Sequence, residues 1–223
     1  MNIAVDGPSA TGKSTIAEML AKKYNLIYLN TGNMYRAVAL YFERKYGDFN
    51  EDIVNNEINY VNLSIDFKDG QQLTLLNGEI VDQYLRSETI SMLASKISSY
   101  LSVRKKLVEL QQEISEKYNI ILDGRDIGTV VLPNADVKFF LTADNDTRAK
   151  RRWLELTSKG IDADFDKIKN DLKKRDYNDS NRANSPLKMA DDAILIDTSN
   201  LTIEQVVEEC DKFVKLKVHH LHQ

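Results

Sequence analysis

Short apolar runs alternate with longer stretches of helical periodicity along most of the chain. The apolar runs fall at residues 2–5, 26–29, 119–122, 137–141 and 193–197. Each run is nearly all apolar, which is typical of strands that are buried on both faces of a parallel sheet. Because helical stretches separate the runs, the order indicates repeated βαβ units. We therefore predict an α/β fold with a five-stranded parallel sheet flanked by helices.

One segment interrupts this alternation. Between residues 62 and 81, apolar and polar residues alternate with a period of two, and the dipeptides Asp-Gly at 69–70 and Asn-Gly at 77–78 divide the segment. Such dipeptides favour the tight turns of β-hairpins. We predict a small antiparallel sheet beside the parallel core, followed by helices over about 84–117.

The domain organisation follows from length and from the absence of linkers. The chain has 223 residues, enough for one domain with a sizeable core, and contains no internal repeat, low-complexity tract or Pro/Gly-rich linker. We predict a single domain over 1–223. Its predicted parts are a core of about 1–58, 118–147 and 183–218, an inserted subdomain of about 59–117, and a lid with a substrate-binding segment of about 148–182.

Composition excludes several classes of protein. Hydrophobic residues make up 42% and charged residues 29%, which is typical of a soluble globular protein. The net charge of −4 argues against a protein that binds nucleic acid mainly by charge. No run of 18 apolar residues and no secretory signal pattern is present, so we expect no membrane segment. Cys210 is the single cysteine, which excludes an intrachain disulfide and favours a cytoplasmic location.

Histidine and cysteine are poor candidates for catalysis in this chain. The histidines are confined to positions 219, 220 and 222, in a tail that we expect to fray and that could be non-native. Cys210 lies on an apolar stripe with helical spacing, which predicts a buried core thiol and no zinc site. The stripe consists of Ile203, Val206, Val207, Cys210, Phe213 and Val214. Lysine, arginine, aspartate, hydroxyl groups and backbone amides remain as candidate catalytic groups.

A phosphate-binding motif directly follows the first predicted strand. It reads Gly7-Pro8-Ser9-Ala10-Thr11-Gly12-Lys13-Ser14-Thr15 and matches G-x-x-x-x-G-K-[ST]. Residues 16–23, which follow the motif, strongly favour a helix. The backbone amides of the loop and the N-terminus of this helix can therefore surround the phosphates of a nucleotide. We expect this loop to bind ATP, with Lys13 at the β- and γ-phosphates and the Ser14 hydroxyl on Mg²⁺. The alternative is an ordinary glycine-rich turn with a surface lysine. The guanine-reading N-K-x-D of GTPases is absent after 137–141.

Charged residues follow two later strands, where open α/β sheets bind ligands. Arg36 comes after the second predicted strand and Arg125 after the third. Arginine binds a phosphate with two parallel hydrogen bonds, so these residues are candidates for holding a second, acceptor phosphate. Asp123 ends the third strand and is a candidate for Mg²⁺. Its alternative role is to cap a turn before Gly124.

Two further basic segments lie beyond residue 147. Arg148, Arg151 and Arg152 lie on a predicted helix, and Arg148 and Arg152 share a face because they are four residues apart. They are either a solvated basic face or part of a lid that neutralises the transferring phosphoryl group. The segment 174–182 combines cations with side chains that can bind a sugar or a base.

Taken together, these motifs resemble those of bacterial cytidylate kinases, a family of P-loop nucleoside monophosphate kinases. The resemblance spans about residues 3–214, and its most specific block is Leu-Asp-Gly-Arg-Asp-Ile-Gly-Thr-Val-Val at 122–131. It implies the P-loop NTPase fold, with the small antiparallel insertion in the monophosphate-binding region and a helical lid. It also implies roles for individual residues. The implied acceptor-phosphate ligands are Arg36, Arg125 and Arg175. The implied sugar and pocket residues are Asp179, Thr31 and Tyr35. The implied residues around the base are Ser95, Arg104, Asp126 and Arg182. Asn178 and Ser180 depart from the family pattern, because some relatives have arginines there.

The chemistry of cytosine is consistent with this resemblance. Cytosine offers an N4 amino donor that an ionised Asp126 can accept, while an arginine can donate toward N3 or O2. Uracil has a carbonyl at position 4 and would leave a buried group unpaired, at a cost of about 1–3 kcal/mol.

The predicted reaction is direct in-line transfer of the γ-phosphoryl group of ATP to CMP or dCMP. The predicted catalytic residues are Lys13, Arg125, Arg148 and Arg152, and the predicted Mg²⁺ ligands are Ser14 and Asp123. We expect a monomer that binds neither nucleic acid nor membrane. The alternatives are a P-loop kinase for UMP, AMP or a non-nucleotide alcohol, and a nucleotide-dependent switch without turnover.

Overall fold

The computed structural model describes residues 1–221 of the chain, with side chains to His219. His222 of the predicted tail lies outside the described residues. The strands are β1 (Asn2–Asp6), β2 (Ile27–Asn30), β3 (Leu63–Lys68), β4 (Gln71–Leu76), β5 (Glu79–Ile80), β6 (Ile120–Gly124), β7 (Val137–Thr142) and β8 (Ile194–Asp197). The helices are α1 (Lys13–Tyr24), α2 (Thr31–Tyr46), α3 (Glu51–Glu57), α4 (Glu88–Ile97), α5 (Leu101–Lys117), α6 (Asn145–Ser158), α7 (Phe165–Asn181) and α8 (Ile203–Leu221).

A five-stranded sheet has the order β2-β6-β1-β7-β8, with β1 at its centre. Its pairings of β1 with β6 and β7, and of β7 with β8, are parallel. The strands begin and end within two residues of the predicted runs, and the predicted parallel sheet is confirmed. Burial on both faces holds for β1, where Ile3, Ala4 and Val5 have no exposed surface. The prediction of burial on both faces is wrong for β8, where Leu195 is 56% exposed, because β8 is an edge strand of this sheet.

The predicted antiparallel insertion is also confirmed. Strands β3, β4 and β5 form a meander in which Ser64 pairs with Leu75 and Leu76 pairs with Glu79. The two turns lie at 69–70 and 77–78, and both residues of each turn have positive φ angles. That geometry is the type I′ turn favoured by Asp-Gly and Asn-Gly.

The chain packs into two compact units. The core unit consists of Met1–Leu26 together with the chain from Ile120 onward, and the inserted unit is Ile27–Asn119. This boundary differs from the predicted insertion at about 59–117, because α2 packs against α4, α5 and the meander strand β4 and so belongs to the inserted unit. Phe42 of α2 is fully buried, and the centre of its ring lies 5.5 Å from the centre of the Phe49 ring.

Helices α6 and α7 occupy most of the predicted lid and pack against each other through Ala149, Ile168 and Leu172. Each helix begins at an aspartate whose carboxylate accepts from a backbone amide, Asp144 in α6 and Asp164 in α7. The described backbone of the tail is helical, since α8 continues to Leu221. None of the helices within residues 1–221 combines the length and apolar character needed to cross a bilayer.

Candidate active site

The phosphate-binding loop connects β1 to α1 and passes very close to β7. A Cβ atom on Gly7 would lie 2.1 Å from the carbonyl oxygen of Leu141, and the φ angle of Gly7 is +150°. Only glycine fits this position, because any side chain would collide with the backbone of β7. Gly12 is the N-cap of α1, so the loop ends where the helix N-terminus begins.

Lys13 is buried inside this loop. Its Nζ donates to the carbonyl oxygen of Pro8 at 2.6 Å, and the Thr11 hydroxyl donates to the same oxygen at 3.1 Å. Burial lowers the pKa of Lys13 well below the ordinary lysine value, and the neighbouring charge of Arg125 lowers it further. Only 6% of Lys13 is exposed, which excludes an ordinary turn with a surface lysine. A buried lysine in a phosphate-binding loop is suited to an anionic ligand.

The two predicted Mg²⁺ ligands lie next to each other. The Ser14 hydroxyl donates to Oδ2 of Asp123 at 3.0 Å, although the two residues are 109 positions apart in sequence. A hydroxyl and a carboxylate are oxygen donors of the kind that Mg²⁺ prefers, with waters and phosphate oxygens completing its shell. Asp123 therefore faces the phosphate-binding loop and is not limited to capping its own turn.

Arg125 joins three parts of the core unit. Its Nε donates to Oδ2 of Asp179 at 2.9 Å, and its Nη2 donates to the Ser9 hydroxyl at 3.0 Å. A predicted acceptor-phosphate ligand thus lies directly on the phosphate-binding loop, paired with the predicted sugar-binding carboxylate of α7. The positive charge of Arg175, also on α7, lowers the pKa of Lys13. Arg182 follows α7, and its Nε donates to the carbonyl oxygen of Ser185 at 2.6 Å.

The three arginines of α6 have different environments. Arg148 is 6% exposed and its guanidinium bonds to both carboxylate oxygens of Asp176, at 3.1 and 2.6 Å, and to the carbonyl oxygen of Ser9 at 3.2 Å. Arg151 donates to the hydroxyl and carbonyl oxygens of Thr198, at 2.9 and 2.5 Å. Arg152 is exposed and pairs with Glu155 at 2.8 Å. The interpretation as a solvated basic face therefore applies to Arg152 but not to Arg148.

Asp126 lies at the start of a single π-helical turn, Ile127–Val131, and is 4% exposed. The first two amides of this turn, those of Ile127 and Gly128, donate to the carboxylate of Asp6 at 2.9 and 2.7 Å. Burial raises the pKa of Asp6 to about 6, and the charge of Asp126 adds to that rise while the two amides oppose it.

The inserted unit holds the remaining predicted residues. Tyr35 and Arg104 come together, with the guanidinium carbon 5.5 Å from the ring centre. Nη1 of Arg104 also donates to the carbonyl oxygen of Ser98 at 3.1 Å. Arg36 lies one turn into α2, where its Nη1 donates to Oδ1 of Asn33 at 3.3 Å. Ser95 is exposed on α4, and its carbonyl oxygen accepts from the Ser98 hydroxyl at 2.7 Å.

The start of α2 is held by residues that sequence reasoning missed. The Asn30 side chain caps the helix by accepting from the Asn33 amide at 3.1 Å. Gln72 of the meander accepts from the Asn30 amide at 2.8 Å. Thr31, a predicted pocket residue, is the first residue of this helix and is buried.

Comparison with known proteins decides the family. The family model described as cytidylate kinase matches residues 3–216. The chain belongs to the cytidylate kinase family. It is 45% identical to a cytidylate kinase of Caldicellulosiruptor saccharolyticus over 94% of this chain and 93% of that one. It is 44% identical to one of Lactobacillus johnsonii over 97% and 95%, and 45% identical to one of Clostridium botulinum over 96% and 98%. The resemblance expected from the motifs is confirmed.

Solved structures support the fold. A gluconokinase of Sinorhizobium meliloti aligns over 100% of this chain and 96% of that one, with 12% identity and a TM-score of 0.50. An uncharacterized protein of Eubacterium ventriosum aligns over 96% and 98%, with 14% identity and a TM-score of 0.52. At this identity the likeness concerns the fold alone.

Two acidic residues of this cytidylate kinase family member were not predicted as site residues. Asp6 ends β1 immediately before the phosphate-binding loop, and its only sequence signal is an acid at the end of an otherwise apolar strand. Asp176 holds Arg148 and lies within the segment 174–182, but no sequence pattern pairs it with a residue 28 positions away. Both contacts depend on tertiary structure.

Proposed function

We propose that this chain transfers the γ-phosphoryl group of ATP to CMP and dCMP, giving ADP and the corresponding diphosphate. The observation that carries the proposal is the position of Arg125, which is bonded to Ser9 of the phosphate-binding loop and to Asp179 of α7. An arginine held beside the donor phosphates can bind an acceptor phosphate in line with them. Membership of the cytidylate kinase family supports the choice of a cytidine nucleotide as acceptor.

On the donor side, backbone N–H groups of the loop 7–15 other than Pro8, together with the Lys13 ammonium, bind the phosphates of ATP. Ser14 and Asp123 fit a Mg²⁺ ion, because they place a hydroxyl and a carboxylate 3.0 Å apart at the start of α1. When bound, this ion neutralises charge on the β- and γ-phosphates. Lys13 supplies a cation that is already stripped of water, so it interacts strongly with charge that develops on the phosphoryl group.

On the acceptor side, Arg36, Arg125 and Arg175 bind the phosphate of CMP. The role of each residue is carried over from the family motif. The acceptor phosphate has a second pKa of about 6 and is mostly ionised near neutral pH, so no strong general base is required. No histidine or cysteine serves as a nucleophile, and transfer is direct and in line.

The sugar and base are read by the remaining residues of the motif set. Asp179 holds the sugar hydroxyls, and Thr31 and Tyr35 line the pocket. The cytosine N4 amino group donates to Asp126, whose burial strengthens discrimination against uracil. The other proposed base contacts are Ser95, Arg104 and Arg182.

Helices α6 and α7 act as a lid that excludes water from the reaction. Arg148 and Arg152 are the proposed catalytic residues of this lid, where they neutralise charge on the transferring phosphoryl group. In this structure Arg148 is bonded to Asp176 and Ser9, which holds the lid on the phosphate-binding loop.

The exposed Arg152 gives a direct test of the lid. We expect Arg152→Ala to lower kcat by about 10²-fold or more while changing the KM for CMP by less than about threefold, because an arginine that meets only the transition state contributes to kcat. Steady-state kinetics with CMP and saturating ATP measure both values. Leu154→Ala, an exposed position two residues along the same helix, is the control. Equal losses in kcat and CMP affinity for Arg152→Ala would contradict a lid role.

An ADP-release assay with CMP, dCMP, UMP and AMP tests the proposed reaction. We expect turnover with CMP and dCMP and a kcat/KM for UMP that is about 10- to 100-fold lower, as one unpaired buried group predicts. A higher kcat/KM for AMP or for UMP than for CMP would contradict the proposal that a cytidine nucleotide is the acceptor. ATP binding without ADP release for any monophosphate would indicate a nucleotide-dependent switch.

We also propose that the chain is a cytoplasmic monomer without a nucleic-acid or membrane partner. The net charge of −4 and the single cysteine support this proposal. Light scattering coupled to gel filtration, at assay concentration, measures the mass. A mass of about twice 25.5 kDa would exclude the monomer.

A further inference from the structure

Asp6 is a buried carboxylate that the proposed chemistry does not use. Only 3% of it is exposed, although it stands at the carboxyl end of the central strand, one residue before the phosphate-binding loop. A buried carboxylate is retained in a protein only where its oxygens are well bonded. Its bonding partners therefore indicate what it does.

Both oxygens of Asp6 bond to one short segment. Oδ1 accepts from the Ile127 amide at 2.9 Å and Oδ2 accepts from the Gly128 amide at 2.7 Å. These amides belong to the first two residues of the π-helical turn, and such amides lack partners within their own helix. Asp6 caps this turn from 121 positions away in sequence.

The usual capping residue for such a turn is the residue that precedes it, which here is Asp126. Asp126 makes no side-chain capping hydrogen bond to the turn. Because Asp6 takes the capping role, the conformation of the backbone at Asp126 is set by a bond from β1. The direction in which the Asp126 carboxylate points is therefore tied to the most buried strand of the sheet.

Gly128 shows how closely the carboxylate approaches the turn. A Cβ atom at this position would lie 3.3 Å from Oδ2 of Asp6 and 3.1 Å from Cδ of Lys138. A side chain here would compete with the carboxylate for space. The absence of one permits the 2.7 Å bond.

We propose that Asp6 is a positioning residue for cytosine selection, which it controls by fixing the turn that carries Asp126. This inference rests on the proposed function, since it assumes that Asp126 reads the base. Asp6 itself touches neither substrate. Its contribution is expressed as the ratio of kcat/KM for CMP to that for UMP.

Asp6→Asn is the principal test, at pH 8 with CMP and UMP. Asparagine has nearly the same volume, but its NH₂ group would face one backbone amide, so one hydrogen bond is replaced by two opposed donors. We expect the KM for CMP to rise about tenfold and the CMP-to-UMP ratio to fall about tenfold, corresponding to loss of one well-placed hydrogen bond. The Kd for ATP, measured by calorimetry, is expected to change less than threefold.

Asp136→Asn is the matched control. Oδ2 of Asp136 accepts from the Asn2 amide at 2.8 Å, so it makes the same kind of bond at the opposite end of β1. We expect this variant to lose a similar amount of stability in urea and to keep the CMP-to-UMP ratio of the unchanged chain. A drop in the ratio for both variants would mean that stability alone sets it, and would overturn the positioning role.

Gly128→Ala provides a second variant that keeps the carboxylate. Its methyl group would push against Oδ2 of Asp6 and the buried Cδ of Lys138, so we expect a smaller fall of about threefold in the same ratio. Amide hydrogen exchange at Ile127 and Gly128 is measured in parallel, and faster exchange is expected in both variants. If exchange accelerates in Asp6→Asn while the ratio is unchanged, Asp6 has no part in base selection.

The CMP-to-UMP ratio of the wild-type protein distinguishes failure of the proposed function from failure of the proposed role of Asp6. If the wild-type protein does not prefer CMP over UMP, the proposed function fails and this inference fails with it. If it prefers CMP and Asp6→Asn retains the full preference, only this inference fails.

Discussion

Gly7 shows how a single missing side chain permits the phosphate-binding loop. We expect Gly7→Ala to lower the free energy of unfolding by more than about 3 kcal/mol, because the methyl group would lie 2.1 Å from the Leu141 carbonyl oxygen. Urea denaturation followed by circular dichroism measures the change.

Gly70→Ala is the control for this substitution. Gly70 also has a positive φ angle, +76°, but no atom lies within 4 Å of the added methyl group. We expect a loss of about 1–2 kcal/mol from backbone strain alone. Equal losses at Gly7 and Gly70 would show that the approach to β7 is not what requires glycine in the loop.

Lys13 illustrates a conflict between function and stability at one residue. We expect Lys13→Met to reduce turnover at least about 10²-fold and to raise the free energy of unfolding of the ligand-free chain by about 1–3 kcal/mol, since a desolvated ammonium is removed. The sign of the pH dependence follows from the lowered pKa. The folded chain binds this proton less tightly than the unfolded chain does, so the unchanged protein gains stability as the pH rises toward the ordinary lysine pKa of 10.5.

The stability advantage of Lys13→Met is therefore expected to be largest near neutral pH and to shrink at alkaline pH. Urea unfolding at several pH values measures it. Lys22→Met, an exposed lysine on the same helix, is expected to change stability by less than about 0.5 kcal/mol. A loss of stability in Lys13→Met at neutral pH would mean that the bond to Pro8 outweighs desolvation.

At the scale of elements, the pair Arg148–Asp176 joins α6 to α7. The arginine is almost fully buried, so removing its partner leaves an unpaired charge. We expect Asp176→Leu to lower the free energy of unfolding by about 2–4 kcal/mol, and a double-mutant cycle with Arg148→Met to give a coupling of about 1–3 kcal/mol.

The exposed pair Arg152–Glu155 on α6 is the matched comparison. Its nitrogen–oxygen distance of 2.8 Å is close to the 2.6 Å of the buried pair. Water and salt screen an exposed pair, so we expect a coupling below about 1 kcal/mol. Similar couplings for the two pairs in urea denaturation would show that burial does not set the strength of the Arg148 contact.

At the scale of the whole molecule, Cys210 reports on global unfolding. It is the single cysteine of the chain, it has no exposed surface in α8, and burial raises the pKa of its thiol to about 12. The thiolate is the reactive form, so labelling with a disulfide reagent requires the molecule to open. We expect labelling of the native chain to be at least about 10³-fold slower than in urea.

Ligands extend this prediction. A ligand that binds only the folded chain, at about 100 times its Kd, stabilises it by about 2.7 kcal/mol and is expected to slow labelling about 100-fold. CMP with a non-hydrolysable ATP analogue provides the measurement. Native labelling as fast as that in urea would contradict the buried position of Cys210.

Part of this molecule could be predicted from local sequence. The central strands can be predicted because runs such as Ile3–Val5 are apolar on both faces. The meander can be predicted because Asp69-Gly70 and Asn77-Gly78 take positive φ angles easily. The strand–loop–helix arrangement of the phosphate-binding motif is also predictable, since all its signals lie within a few consecutive residues. Each of these features depends on interactions that are short in sequence.

The edge position of β8 and the extent of the inserted unit could not be predicted in this way. Leu195 is as apolar as the residues of β1, and its exposure follows from the order of strands in the sheet. Likewise, the grouping of α2 with the meander depends on how α2 packs against α4 and α5. A hydrophobic pattern indicates that one face of an element is buried, but it does not indicate which other element packs against that face.

By itself, the sequence determined the fold class, the phosphate-binding loop and the family, because these rest on residue types at fixed local spacings. Only the tertiary structure decided which charges meet. It pairs Arg125 with Asp179 across 54 positions, buries Arg148 against Asp176 while leaving Arg152 exposed, and places the Asp6 carboxylate on amides 121 and 122 residues away. The reason is physical: a charged side chain carries no local preference for one distant partner, and its partner is selected when packing removes both from water.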